Sequence, residues 1–222
     1  VDVHTRPDPA RAALVTVDMQ NDFTIAGAPA EIPGTREIVP ALLRAVQAFR
    51  AARRPIVHVI RLYAADGSDA ERVRRAALEG GKRMLRAGTE GAGIVEELLP
   101  ADAPALDAEC LRAGRPQELG PREWAIYKPR WNSFFRTPLA GHLQAEGVDS
   151  VVVAGCNFPN CTRATTVGAT EYDFRTAILR DAVSGLDDRG AHEMDGIGVE
   201  VMSADACCAW IGSGGPARAQ TG

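Results

Sequence analysis

Apolar residues along this chain fall into two kinds of run. The first kind is short and apolar throughout instead of alternating: AALVTVD (12–18), PIVHVIRLY (55–63), EWAIYKP (123–129), DSVVVAG (149–155) and RTAILRDAV (175–183), with VEVMSADA (199–206) as a weaker last member. Runs of this length, rich in β-branched residues, predict strands buried on both faces. The second kind carries apolar residues at helical spacing. TREIVPALLRAVQAFRAAR (35–53) opens with Thr35 as cap and Pro40 in its first turns, TPLAGHLQAEG (137–147) has proline near its start and glycine at its end, and 161–173 follows the fourth strong strand. Strand and helix in alternation predict an α/β fold, a three-layer α/β/α domain around a mostly parallel sheet of six strands.

No internal repeat or linker composition interrupts the chain, so residues 1–222 read as one domain. The stretch 64–124 is the least regular part. It combines a charged helical segment (68–79), a glycine-broken run EGGKRMLRAGTEGAG, a short helix at IVEELLP (94–100) and a weak strand near 106–112. That is too long for a plain crossover and predicts a variable insertion, a lid or a substrate wall. The end, GSGGPARAQTG (212–222), has the composition of a disordered tail.

Composition narrows the function classes. At 45% hydrophobic and 24% charged residues with a net charge of −4, nothing suggests a nucleic-acid or anionic-membrane partner. No apolar stretch is long enough for a transmembrane helix, and VDVHTRPDPARA lacks the apolar centre of a signal peptide. Five cysteines, unevenly spaced at Cys110, Cys156, Cys161, Cys207 and Cys208, argue against a disulfide framework and for a reducing cytoplasm. No cysteine pair has zinc spacing, and His4, His58, His142 and His192 are scattered, so neither a metal nor another cofactor is expected.

Ligands of open parallel sheets bind outside the carboxyl ends of the strands. Three chemically able side chains fall there: Asp18 closes the first strand, Lys128 closes WAIYK, and Cys161 follows the loop after VVVAG. A thiol at a helix N-terminus, beside an ammonium, is favoured as thiolate, and a carboxylate can move its proton. On the residues alone, two readings stand for each. Cys161 is a small packing residue or a nucleophile, Lys128 a solvated charge or an activator, and Asp18 a turn residue or an acid–base group.

Four stretches in order, VTVDMQNDF, GTEGAGIVEELLP, YKPRWNSFFRTPL and VVVAGCNFPNCTRATTVGATEYDFRTAILRDAVSG, resemble the isochorismatase-like cysteine hydrolases, over about residues 12–205. The resemblance implies a Rossmann-type sheet and a triad of Asp18, Lys128 and Cys161. Cys161 would form a thioester, Asp18 would shuttle the proton, and Lys128 would lower the thiol pKa and hold the carboxylate. It also implies an oxyanion hole from the backbone N–H groups of Asn157 and Cys161, a non-proline cis peptide at Cys156–Asn157, and a homo-oligomer, dimer or tetramer. Cys156 then becomes a small residue behind the loop, and Gly155 gives the backbone room. Phe23, Trp131 and Phe135 flank the motif residues and are candidates for lining a substrate pocket or for the core.

The chain departs from the pattern in two places. Nicotinamidases carry Asp-x-His after the second strand, whereas this chain reads RLYAADGSD, which counts against a metal and against nicotinamide. Many members have a Thr-x-x-Cys loop, where NFPNC places Phe158 and Pro159 and makes the loop stiffer and more apolar. GCNFPNC is similar to the loop of streptothricin hydrolases, which open the lactam of a cationic antibiotic; Asp66, Asp69 and Glu71 would be the acids to meet such a cation, or else a solvated face.

The favoured expectation is hydrolysis of a C–N bond in a small amide, lactam or ureide. Competing expectations are vinyl-ether hydrolysis of the isochorismatase type, which does not need the cysteine, and a catalytically silent binding or assembly protein, in which Cys161 would alkylate no faster than a free thiol. A redox pair is a weaker reading, because Cys156 and Cys161 lack CxxC spacing.

Overall fold

The computed structural model describes residues 2–214. Its strands are β1 (Ala12–Val17), β2 (Ile56–Ile60), β3 (Gln117–Gly120), β4 (Glu123–Tyr127), β5 (Ser150–Gly155), β6 (Arg175–Val183) and β7 (Glu200–Met202). Its α-helices are α1 (Asn21–Thr24), α2 (Val39–Ala51), α3 (Arg72–Glu79), α4 (Ala108–Arg112), α5 (Leu139–Ala145), α6 (Cys161–Glu171), α7 (Asp188–Gly196) and α8 (Ala204–Ser213). The strands form one sheet in the order β3-β4-β2-β1-β5-β6-β7, parallel except for the antiparallel pair β3–β4. From β1 the chain builds outward to one edge through β2 and β4, then returns to add β5, β6 and β7 on the other side. The reversal lies at β1 and β5, where such a sheet opens a crevice at its carboxyl edge.

Side chains of β1 alternate between the two faces, and each face has its own core. Ala12 and Leu14 pack with Leu42, Val46 and Phe49 of α2 and with Cys207 and Ile211 of α8. Ala13, Val15 and Val17 pack with Leu139 and Leu143 of α5 and Ala169 of α6. Every β1 and β5 residue is buried, which is why these strands read as unbroken apolar runs. No described helix is long and apolar enough to cross a membrane.

The sheet has seven strands, where the sequence predicts six. The extra one, β3, is a four-residue edge strand, QELG, with only Leu119 buried, so it carries no apolar signature. The strand expected near 106–112 is instead α4, capped by Asp107, whose carboxylate accepts from the N–H of Cys110 at 2.9 Å. Thr35 does not cap the following helix. α2 starts at Val39 with Pro40 in its first turn, while Thr35 turns inward and donates from Oγ1 to Ser184 Oγ at 3.1 Å. The expected helix at IVEELLP is a single 3-10 turn, Glu96–Leu98. After β7 the chain becomes α8, capped by Ser203, a helix the strand reading of VEVMSADA hides. Residues 212–214 close that helix; 215–222, the rest of the expected tail, lie outside the described residues.

Gly155 fixes the exit of β5. Its φ is +114°, and a Cβ there would stand 2.3 Å from the carbonyl oxygen of Val17 and 2.8 Å from its nitrogen. Both contacts are with the neighbouring central strand, so neither can relax by rotating a side chain. Gly155→Ala is expected to lower the unfolding free energy by about 2 kcal/mol or more, read from urea midpoints. A loss under about 0.5 kcal/mol would show that β1 and β5 can separate here.

Candidate active site

Asp18, Lys128 and Cys161 meet at the carboxyl edge of the sheet. Asp18 leaves β1 with φ +52°, a left-handed turn that takes its carboxylate off the strand. The backbone N–H of Asp18 donates to Val59 O at 2.8 Å and that of Lys128 to Ile60 O at 2.9 Å, so both residues are still held by β2 as they leave the sheet. Lys128 then reaches across β2. Its Nζ pairs with Asp18 Oδ2 at 2.8 Å, donates to Cys161 Sγ at 3.4 Å and donates to Arg130 O at 3.2 Å. These partners use all three ammonium protons of a side chain that is 0% exposed. Asp18 is 2% exposed, and its Oδ1 is sealed from solvent without a hydrogen-bond partner among the described residues.

Cys161 is the first residue of α6 and is 6% exposed. The sequence predicts a thiol biased toward thiolate by the helix end and by Lys128. The structure reverses the balance: burial pushes the thiol up to about 12, and the carboxylate of Asp18 adds to the rise, while Lys128 and Arg61 pull it down less strongly. In a site this dry, desolvation of the anion outweighs the nearby cations. The thiol form of Cys161 is therefore favoured beside the Asp18 carboxylate.

The loop that presents it is held from behind. Cys156 N–H donates to Val17 O at 2.8 Å, Phe158 N–H donates to Ser184 O at 2.8 Å, and Ser184 N–H returns a bond to Gly155 O at 3.1 Å. Gly185, at φ +72°, lets the β6–α7 turn approach so closely that a Cβ would lie 2.5 Å from Phe158 O. The Cys156–Asn157 peptide is cis, as the resemblance implies, and so is Phe158–Pro159. Cys156 Sγ lies behind the loop, 1% exposed, and accepts from Thr35 Oγ1 at 3.5 Å. Among the described residues, the N–H groups of Asn157 and Cys161 have no hydrogen-bond partner. A family model described as the isochorismatase domain matches residues 12–206.

This chain belongs to the isochorismatase family. A protein of Arabidopsis thaliana named "Probable inactive nicotinamidase" is 31% identical over 78% of this chain and 80% of its own length. Maleamate amidohydrolase of Pseudomonas putida is 31% identical over 78% and 72%. A crystal structure of an isochorismatase family protein from Desulfovibrio vulgaris superposes with a TM-score of 0.75 at 32% identity, covering 88% of this chain and 95% of that one.

Within this isochorismatase-family fold, the predicted pocket residues separate. Trp131 and Phe135 are 38% and 45% exposed and, with Val73, Glu71, Arg130 and Ala164, line an open cavity of about 430 Å3. Asp18, Lys128 and Cys161 do not line it; its wall includes Ala164, one turn along α6 from Cys161, and Glu71, which pairs with Arg61. Phe23 is not part of it. Phe23 is 3% exposed, packs in the core on the α2 side and lies under the Arg74 guanidinium at 5.8 Å.

Sequence reasoning missed Arg61, Tyr63 and Glu71 as a unit. Arg61 and Tyr63 stand in RLYAADGSD, where the resemblance puts Asp-x-His, and Glu71 follows just beyond it. Arg61 pairs with Glu71 Oε2 at 3.2 Å, Arg74 pairs with Oε1 at 3.2 Å, and Tyr63 OH donates to the same carboxylate at 3.0 Å. The strand-end rule that found Asp18 and Lys128 applies equally to Arg61. Among the described residues no group of three or more His, Cys, Asp or Glu side chains is placed to hold a metal ion. The three acids proposed for a cationic substrate are all engaged within the protein: Glu71 as above, Asp69 with Arg112 at 2.6 Å, and Asp66 with the Ser68 N–H and hydroxyl at 3.0 and 2.8 Å.

All five cysteines are free. Burial pushes the thiols of Cys156, Cys161 and Cys207 each up to about 12, from an unperturbed value of 9.0. The folded chain thus retains protons that the unfolded chain releases, so this contribution is whole below pH 9 and fades as pH climbs toward 12. Each such thiol is expected to steepen the loss by about 1.4 kcal/mol per pH unit. Cys207, in α8 and away from the triad, isolates the effect. Urea midpoints of Cys207→Ala measured from pH 8 to 10.5 should fall less steeply than those of the wild type, and parallel curves would refute the assignment.

Proposed function

We propose that this protein is an amidohydrolase that cleaves the C–N bond of a small amide, lactam or ureide through a thioester on Cys161. The observation that carries the reading is one buried ammonium, Lys128 Nζ, within 2.8 Å of a carboxylate and 3.4 Å of a thiol sulfur at the carboxyl edge of the sheet. The amidohydrolase relative at 31% identity supports the same reaction type.

When the substrate carbonyl reaches Cys161, Sγ forms a bond to carbon as its proton passes to Asp18, whose Oδ1 is the open acceptor. The carbonyl oxygen becomes an anion facing the unpaired N–H groups of Asn157 and Cys161, where each donor is worth about 100- to 1000-fold in rate. The C–N bond breaks as Asp18 returns the proton to nitrogen, and ammonia or an amine leaves. Water then adds to the thioester, giving its proton to Asp18; the S–C bond breaks, sulfur recovers the proton, and a carboxylic acid departs. Lys128 holds the Asp18 carboxylate in place, at 2.8 Å, at the start of each half-reaction. Thiol-before-thiolate is consistent with the raised pKa of Cys161, since the base acts only once a carbonyl is there to receive the sulfur. The proposal keeps the protein in the cytoplasm, where free thiols persist, and keeps the homo-oligomer that the resemblance implies.

The test is an ammonia- and amine-release screen over small amides, lactams and ureides, with acid-quenched mass spectrometry of the enzyme during turnover. The expected result is release together with an acyl adduct on the peptide containing Cys161. Turnover with no adduct and no dependence on Cys161 would overturn the mechanism.

A further inference from the structure

We infer that Arg61 is an anion-recognition residue of this site, so that the amide it takes carries a carboxylate of its own. The inference deepens the amidohydrolase reading and rests on it. Arg61 follows Val59 and Ile60, the β2 residues whose carbonyls hold the Asp18 and Lys128 backbones, and is 3% exposed. Among the described residues its guanidinium donates one hydrogen bond, from Nη1 to the carbonyl of Pro129. Nε and Nη2 have no partner, yet neither is sealed from water. A guanidinium with two free, parallel donors, paired through Nη1 with the Glu71 of the cavity wall, matches a carboxylate in bidentate geometry.

The local charge points the same way. Asp18 and Lys128 cancel each other. Glu71 is shared by Arg61 and Arg74 and also accepts from Tyr63, so its one negative charge faces two positive ones. Arg130, on the cavity wall, donates only to the carbonyls of Pro129 and Asp69 among the described residues, at 2.6 and 3.5 Å. Asp69 itself is committed to Arg112. Two positive charges, one on the Arg61–Glu71–Arg74 cluster and one on Arg130, are therefore uncompensated beside the cavity, whose apolar wall is Val73, Trp131 and Phe135. A cationic substrate would meet those charges and, among the described residues around the cavity, find Glu71, Asp69 and Asp66 already engaged. An anionic one of small-molecule size would gain both Arg61 and the apolar wall.

A four-carbon series tests this: succinamate, succinamide and 4-aminobutanamide, alike in size and differing in charge. For the wild type, kcat/KM for ammonia release is expected to be at least about 10-fold higher with succinamate than with either other probe. In Arg61→Gln the succinamate-to-succinamide ratio should fall below about 2, and Arg61→Lys, which keeps the charge but not the fork, should lie between. Calorimetric binding to Cys161→Ala separates this inference from the catalytic reading: succinamate should bind at least about 10-fold more tightly than succinamide, and Arg61→Gln in that background should erase the difference. Binding preference without turnover would retain the anion site and sink the amidase. Turnover or binding with no Arg61-dependent preference for the anion, or a preference for the cation, would overturn the inference.

Discussion

Replacing Lys128 with methionine is expected to destabilise the protein by about 3–5 kcal/mol, even though methionine fills nearly the same volume. The cause is the carboxylate left behind. Asp18 is 2% exposed, and Lys128 Nζ is the cation paired with it at 2.8 Å. Without that cation Asp18 must stay charged in a dry site or bind a proton, and either outcome costs folding free energy. The neutral pair Asp18→Asn with Lys128→Met removes both charges together and should recover at least about 2 kcal/mol of the loss. Urea denaturation of the two single variants and the double closes the cycle. Losses that simply add would mean that the two groups do not sense each other, and the site as described would be wrong. All three variants should also lose amide hydrolysis, because the base is removed or unpaired in each.

Cys161→Ala should have the largest effect on rate and a small one on stability. Removing the nucleophile of a thioester mechanism is expected to reduce kcat by about 10000-fold or more. The fold should lose about 1 kcal/mol or less, because Sγ is one atom at the end of the core on the α6 side. A steady-state assay against any substrate found in the release screen, with circular dichroism as the folding check, measures both. A vinyl-ether hydrolase would keep most of its rate in this variant, and a silent binding protein would show no turnover before the change.

Much of this site was legible because its parts obey strong local rules. The strands β1 and β5 are buried on both faces and so appear as unbroken apolar runs; their ends point to Asp18 and to the loop before Cys161. Gly155 stands out for the same reason, at the end of a strand with a neighbour too close for a side chain. β3 was not legible, because an edge strand of Gln, Glu, Leu and Gly needs no apolar pattern, only a partner. Thr35 looked like a cap because a hydroxyl before a helix commonly is one, and only the fold shows Ser184 and Cys156 waiting for it. Phe23 sits within the DMQNDF motif, yet proximity in sequence did not place it at the cavity. Arg61 was hidden by its surroundings. In RLYAADGSDAE the acids and bases read as a solvated stretch, and which carboxylate closes on which guanidinium is a matter of tertiary distance.

The state of charge at the sulfur also decides how this protein weathers oxidants. Peroxide and alkylating agents attack thiolates, and burial pushes the Cys161 thiol up to about 12, away from the thiolate. A working enzyme of this design would look inert to iodoacetamide, so slow labelling does not mark a dead one. Its latency is a form of chemical armour that a ready-made thiolate would lack.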